Sequence, residues 1–286
     1  MELERYIMEY EKTIRMSFFG GMLALIGLWE FLSPRRKQII SRIKRWPNNL
    51  GIVFLNSAVL QIIFPFMGAG MAALAIENDW GIFNIIEVPY ATALVLSIII
   101  MDMVIYLQHV MVHAVPLLWR LHQVHHADTE YDVTTGARFH TLEIILSMGI
   151  KFATIALLGA PVAAVVIFEI ILNAAAMFNH GNIKLPESID KILRWFIVTP
   201  DMHRIHHSTT ANEANSNFGF NLPWWDRIFG TYKAQPEKGH EKMEIGIHSP
   251  RDEKRTVWIT GMLILPFLGK ISDYAINHTH NKSKSN

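Results

Sequence analysis

The sequence predicts an all-α fold: an integral membrane helical bundle carrying a histidine-rich helical cap. Three observations predict it. The 286 residues are 51% hydrophobic and only 18% charged, against about a quarter charged in an average soluble domain. The apolar residues come in long blocks separated by polar segments, not in the short alternations of a soluble core. The histidines are clustered: ten of fourteen fall between positions 109 and 207. A formal net charge of +1 gives no field that would attract nucleic acid, so no nucleic-acid partner is expected. The absence of cysteine rules out disulfides, thiolate metal sites and cysteine nucleophiles, and leaves histidine and carboxylate as metal ligands.

The elements follow in order. A charged amphipathic stretch, "MELERYIMEYEKTIR", leads into the first apolar block, "MSFFGGMLALIGLWEFLS" at 16–33. An acidic lead-in without a small-residue cleavage site does not fit a secretory signal. The block is read as a retained span or an interfacial helix. A basic segment follows, "SPRRKQIISRIKRWP", and residues 1–49 form an N-terminal region. The block at 50–76 is long enough to cross a bilayer, with Pro65 and its glycines expected to kink it. After the short acidic loop "ENDWGIFN" comes a third block at 85–108. Blocks at 143–159 and 162–178, joined by "GAP", read as a tight helical hairpin. The patch at 257–269 is too short for a span, and the tail "NHTHNKSKSN" has a disordered composition. Residues 50–255 are thus expected to form the functional membrane domain, and 256–286 a C-terminal patch and tail.

Basic residues in short loops set orientation. Arg35, Arg36, Lys37, Arg42, Lys44 and Arg45 put the loop after the first span in the cytoplasm. Counting spans, 77–84 is outside, and the polar segments 109–142 and 179–255 both return inside. The expected protein is multi-pass, with its histidines on the cytoplasmic face.

Those two segments carry the chemistry. In "DMVIYLQHVMVH", Asp102, Tyr106, His109 and His113 are spaced by four, three and four, which is one face of a helix. "LHQVHH" supplies His122, His125 and His126; "MHRIHH" repeats the pattern with His203, His206 and His207. A helical turn would bring the three imidazoles of each copy close together. Imidazole suits iron, zinc, copper and nickel, and eight such ligands are too many for one ion, so two metals are expected. Asp102, Glu143, Asp128, Asp132 and Asp201 are near enough in sequence to accept the second N–H of a ligating ring. Asp102 stands out, because a carboxylate in an apolar helix is costly and usually functional. It and Glu143 are the carboxylates assigned to the reaction site, Asp102 with a histidine N–H or the Tyr106 hydroxyl as its expected partner. Asp128 and Asp132 read equally well as solvated loop charges. Glu169 and Asn173, one turn apart in the hairpin, read as a helix–helix polar contact.

The segments "DMVIYLQHVMVHAVPLLWRLHQVHHAD", "TTGARFHTLE", "PDMHRIHHS" and "WWDRIFGTY" resemble, in order and in linking residues, the fatty acid hydroxylase/sterol desaturase superfamily of membrane di-iron oxygenases. The resemblance covers roughly residues 85–235. It implies a histidine-rich cap on a small membrane bundle, and two iron ions that activate O2 to hydroxylate or desaturate a lipid. It carries metal-ligand roles to the eight histidines above, and adds His140 and His180. Where some relatives have a further histidine, this chain has Lys184. "WWDRIFGTY" reads as architectural, with Trp224 and Trp225 suited to a membrane interface and Gly230 to a tight turn. With no cysteine, no appended haem domain and no dinucleotide fingerprint, electrons are expected from a separate redox partner. A metal transporter, with ligands on broken helices near the bilayer midplane, and a non-catalytic metal-binding scaffold are the alternatives.

Overall fold

The computed structural model describes residues 2–86 and 88–269. Among them the regular structure is helical, with only two isolated β-bridges. The expected disordered tail lies outside the described residues.

Helix α1 (Glu2–Leu32) takes in both the charged lead-in and the first apolar block as one helix of 31 residues. At 1.5 Å per residue it is about 46 Å long, well beyond the apolar thickness of a bilayer. Ser41 caps α2 (Arg42–Ile63), which absorbs half of the basic segment. The expected kink in the second block is a full break: α2 stops before Pro65, and α3 (Gly68–Glu77) continues after it. Proline has no N–H to give to the preceding turn. After the single turn α4 (Ile82–Ile85), α5 (Tyr90–Ala114) runs unbroken through His113. Pro116 then opens α6 (Pro116–His126). Helices α7 (Thr141–Leu158) and α8 (Val162–Asn179) form the expected hairpin, closed by Gly159 at φ +65°. A Cβ on Gly159 would stand 2.6 Å from the Trp80 carbonyl oxygen, so this turn needs glycine on two counts. The short α9 (Glu187–Leu193) and α10 (Pro200–His206) follow.

Contacts fix the direction of each pass. Along α7, Thr141 meets Asn56, Phe152 meets Phe64 and Phe66, and Gly159 meets Gly81, so α2 and α3 run parallel to α7 as one interrupted pass. Along α8, Glu169 pairs with Arg15, Met177 packs beside Met22, and just beyond the helix Asn182 donates to Glu30, so α1 runs parallel to α8. The Tyr90 hydroxyl donates to Glu4, which sets the start of α5 at the end of the bundle away from the histidines. Among the described residues five segments are long and apolar enough to cross a membrane: Glu4–Leu32, Arg42–Ile85, Tyr90–Ala114, Thr141–Leu158 and Val162–Asn179. Their outer faces expose large apolar side chains, among them Phe54, Ile62, Val95 and Leu157, as a lipid-facing surface does and a soluble one does not. The alternating passes bring segment 109–142, segment 179–255 and the basic loop 33–41 to one end.

The cap at that end is held by buried charge. Glu30, at the top of α1, accepts from the backbone N–H of Val133 and of Asn182, both at 2.7 Å, and so ties together the two histidine-rich segments. Arg45 bridges Asp128 at 2.7 Å and Asp132 at 2.5 Å, with all three side chains buried. These two aspartates are therefore not solvated loop charges. Arg45 and Arg138 hold the Asp128 carboxyl well below its usual range, against the opposing effect of burial. Asp201 pairs with Arg204 and Arg35. None of these three aspartates accepts from a clustered histidine. The patch at 257–269 packs onto the cap, with Met262 and Leu265 buried beside Ile52 and Trp119.

Candidate di-metal site

Two short helices present the repeated histidine motif in the same way. Both α6 and α10 open with proline in the first turn and end on a histidine pair. In α10, Thr199 Oγ1 accepts from the Met202 N–H and fixes the start. With α5 and the end of α8, they bring nine imidazoles together, none more than 4% exposed.

The nine fall into two groups, each with its ring nitrogens within 4.8 Å of one another: His109, His113, His122, His126 and His206 in one, and His125, His180, His203 and His207 in the other. Each HxxHH motif is therefore divided, not gathered at one point. Positions i and i+4 share a helix face and join the same group (His122 with His126, His203 with His207). Position i+3 points to the other group (His125, His206). One helical turn thus serves both groups, and the two motifs cross over: His126 stands 4.7 Å from His206 and 4.4 Å from His207, centroid to centroid.

Hydrogen bonds aim the rings. His109 Nδ1 pairs with the Phe218 carbonyl at 2.8 Å, His206 Nδ1 with the Ser216 carbonyl at 2.8 Å, His180 Nδ1 with the Ala176 carbonyl at 2.7 Å, and His122 Nδ1 with Glu143 Oε1 at 2.6 Å. A carbonyl or carboxylate can only accept, so Nδ1 carries the proton and Nε2 keeps its lone pair pointing inward. The Nε2 atoms of His109, His122 and His206 are buried without a hydrogen-bond partner, a cost of about 1–3 kcal/mol for each orphaned group. Other Nε2 atoms face each other directly: His113 and His126 at 3.2 Å, His125 and His180 at 3.1 Å, His180 and His207 at 3.2 Å. Two nitrogens bound about 2.1 Å from one ion stand about 3.0 Å apart across a right angle and about 3.4 Å across a tetrahedral one. The observed spacing fits a shared cation. Burial drives the His125, His126, His203 and His207 rings well below the usual histidine range, and His180 and His206 down to about 3. Neutral rings are what a metal requires.

Glu143 lies against His122, whereas Asp102 is paired away from the histidines. Asp102 Oδ2 accepts from Trp225 Nε1 at 2.8 Å and from the Leu222 N–H at 3.3 Å; the Tyr106 hydroxyl is paired with Thr231. Asp102 anchors the "WWDRIFGTY" segment to α5. From that segment Asp226 accepts from the Phe218 and Gly219 N–H groups, both at 2.8 Å, and the Phe218 carbonyl holds His109. The segment is architectural, one bond removed from a histidine of the cluster. His140 joins neither group. Its Nδ1 caps α7 by accepting from the Leu142 N–H, and its Nε2 reaches the Leu263 carbonyl of the C-terminal patch, so both nitrogens are spent on backbone groups. His180, by contrast, lies in the centre of the four-membered group.

A cavity of about 250 Å³ opens from this site into the bundle. His109, His122 and Glu143 line its inner end, and Phe19, Leu60, Ile105 and Leu172 its walls. Sequence reasoning missed two of its residues, Arg15 and Lys151. The signal for Lys151 was a lone cation inside an apolar block.

A family model described as fatty acid hydroxylase matches residues 94–231. An ornithine lipid hydroxylase of Rhizobium tropici is 27% identical over 87% of this chain and 72% of its own length. The alkylglycerol monooxygenase of Homo sapiens is 29% identical over 46% of this chain and 28% of its own. The cholesterol 25-hydroxylase of Homo sapiens is 24% identical over 48% and 50%. The chain therefore spans half or less of the latter two. No solved structure matches it.

Proposed function

We propose that the chain, which matches the fatty acid hydroxylase family over residues 94–231, is an O2-dependent membrane monooxygenase that hydroxylates a lipid at a histidine-ligated di-iron centre. The observation that carries this reading is the pair of all-histidine groups, five and four, the first of which reaches a largely apolar cavity through His109 and His122. An alkyl C–H bond has neither an acidic proton nor a leaving group, so side-chain acid–base chemistry has no purchase on it; bound iron supplies the oxidising power. The balance is one C–H bond, one O2, two electrons and two protons giving one alcohol and one water. The electrons come from a separate redox partner.

The chain's own residues do the rest. Glu143 holds His122 in one tautomer, and the carbonyls of Phe218, Ser216 and Ala176 do the same for His109, His206 and His180. The apolar walls admit a lipid from the bundle and exclude water from the reacting carbon. The relatives are hydroxylases and monooxygenases, which favours hydroxylation over desaturation. A transporter would place its ligands near the bilayer midplane, whereas these lie at one end of the bundle.

Lipid mass spectrometry of cells with and without the protein, grown under 18O2, tests the reading. A lipid that gains one labelled oxygen is expected; a product that has only lost two hydrogens would mean desaturation, and no lipid change would refute both. We also place the cap on the cytoplasmic face, supported by the basic loop 33–41. Cysteines introduced at Lys37 and Glu237 should react with an impermeant reagent from the cytoplasmic side, and one at Asp79 from the opposite side. Labelling of Lys37→Cys from outside would reverse the topology.

A further inference from the structure

The cavity has a second polar feature that the histidine groups do not use. Glu169, midway along α8, is 1% exposed, and cations from two other helices converge on it. Lys151 Nζ from α7 lies 2.7 Å away, and Arg15 Nη1 from α1 lies 2.8 Å away. Arg15 also pairs with Glu11 at 2.9 Å, so the four charges sum to zero. Glu169 thus makes the helix–helix polar contact expected of it, while the Asn173 amide donates along α8 to the Glu169 carbonyl. Gly68 makes room for the carboxylate: a Cβ there would stand 3.0 Å from Glu169 Oε1. Arg15, Lys151, Glu169 and Asn173 all line the cavity, as does Gln108, whose Oε1 is buried without a partner.

Stability does not account for this cluster. A buried ion pair is often no better than apolar residues of the same volume, and ionisable groups at membrane depth are expensive. Nor does a plain hydrocarbon occupant, which would keep three ionised side chains dry and offer them nothing. The complement of a zero-charge cluster, two cations with Glu169 and Glu11 as their counter-ions, is itself a zwitterion. Its anion would take N–H groups from Lys151 and Arg15, and its ammonium would face Glu169. A headgroup of net charge would leave one charge unpaired in a low dielectric.

We propose that Arg15, Lys151 and Glu169 form the headgroup subsite of the cavity and select a lipid whose polar group carries both an ammonium and an anion. This rests on the lipid-hydroxylase reading and names its substrate class. Eight residues of α7 separate Lys151 from Glu143, about 12 Å. The carbon presented to the histidines therefore lies near the headgroup end of the lipid and not at the tip of its tail.

Binding to the iron-loaded protein in detergent, followed by native mass spectrometry, tests it with three probes of equal chain length: an N-acyl lysine, a lysophosphatidylethanolamine and a neutral 1-O-alkylglycerol. At least one zwitterion should bind about tenfold or more tightly than the alkylglycerol, a difference of about 1.4 kcal/mol. Whichever it is tells carboxylate from phosphate. In the Lys151→Met/Glu169→Met double variant, where Arg15 keeps Glu11, the preference should fall to about one while iron content stays at the wild-type value. A preference that persists in the iron-loaded double variant, or none in the wild type, overturns the proposal. Iron content is read separately: loss of iron from the wild type would sink the di-iron reading, while the probe ratio would still judge the subsite.

Discussion

Glu143→Gln isolates the part a carboxylate plays behind a histidine ligand. The His122 Nδ1 to Glu143 Oε1 bond is 2.6 Å and buried. A hydrogen bond to a charged group contributes about 1.5–3 kcal/mol, and a neutral one about 0.5–1.5 kcal/mol. Glutamine keeps the volume and an acceptor oxygen, so the loss is the difference, about 1–2 kcal/mol. That corresponds to roughly 5- to 30-fold in affinity, within the range usual for residues that orient a metal ligand. The loss should fall on the five-histidine group, which contains His122, and spare the four-histidine group. The assay is competition with a graded series of chelators, reading the two dissociation steps separately by metal analysis. Weakening of one step with the other unchanged is expected. Equal weakening of both, or neither, would refute the claim that Glu143 acts through His122.

Other perturbations separate roles that look alike in sequence. Asp102→Asn should keep full metal content and lower thermal stability, since its partners are Trp225 and Leu222; metal loss from the folded fraction would restore Asp102 to the site. His140→Ala should likewise retain metal, and cost about 1 kcal/mol of stability as a lost helix cap; loss of one metal would contradict its exclusion from both groups. The metal-free protein should lose stability as pH falls from about 6.5 toward 3, measured by chemical denaturation. His180 and His206 bind protons only near 3 when folded but near 6.5 when unfolded, so in that window the unfolded chain holds more protons. Asp226, pushed by burial up to about 6, opposes this between its ordinary value and 6. A flat profile between pH 6.5 and 4 would contradict the neutral cluster.

The helices and the histidines were legible in the sequence because both are periodic. Apolar blocks gave the passes, spacings of three and four gave the ligand faces, and alternation of passes brought the two segments to one end. What the periodicity hid was partnership across the fold. Adjacent histidines in HxxHH diverge by about 100° around a helix, yet only the packing of α6 against α10 reveals that the divergence serves two groups. Asp102 lies on the same helical face as His109 and His113, but the indole of Trp225 and the Leu222 N–H claim it from 120 residues or more away. Arg45 looked like an orientation-setting loop charge and is the counter-ion of Asp128 and Asp132, which removes it from that count. His140 matched a family position, but neighbouring backbone groups occupy its nitrogens.

Two separate metal positions are the centre of the proposed site, and iron stoichiometry tests them directly. Protein purified in detergent without oxygen and saturated with iron should hold two irons per chain. His203→Ala, in the four-histidine group, and His113→Ala, in the five-histidine group, should each reduce that to about one. A single iron in the wild type, lost whichever histidine is replaced, would contradict the two-group site and the function proposed from it.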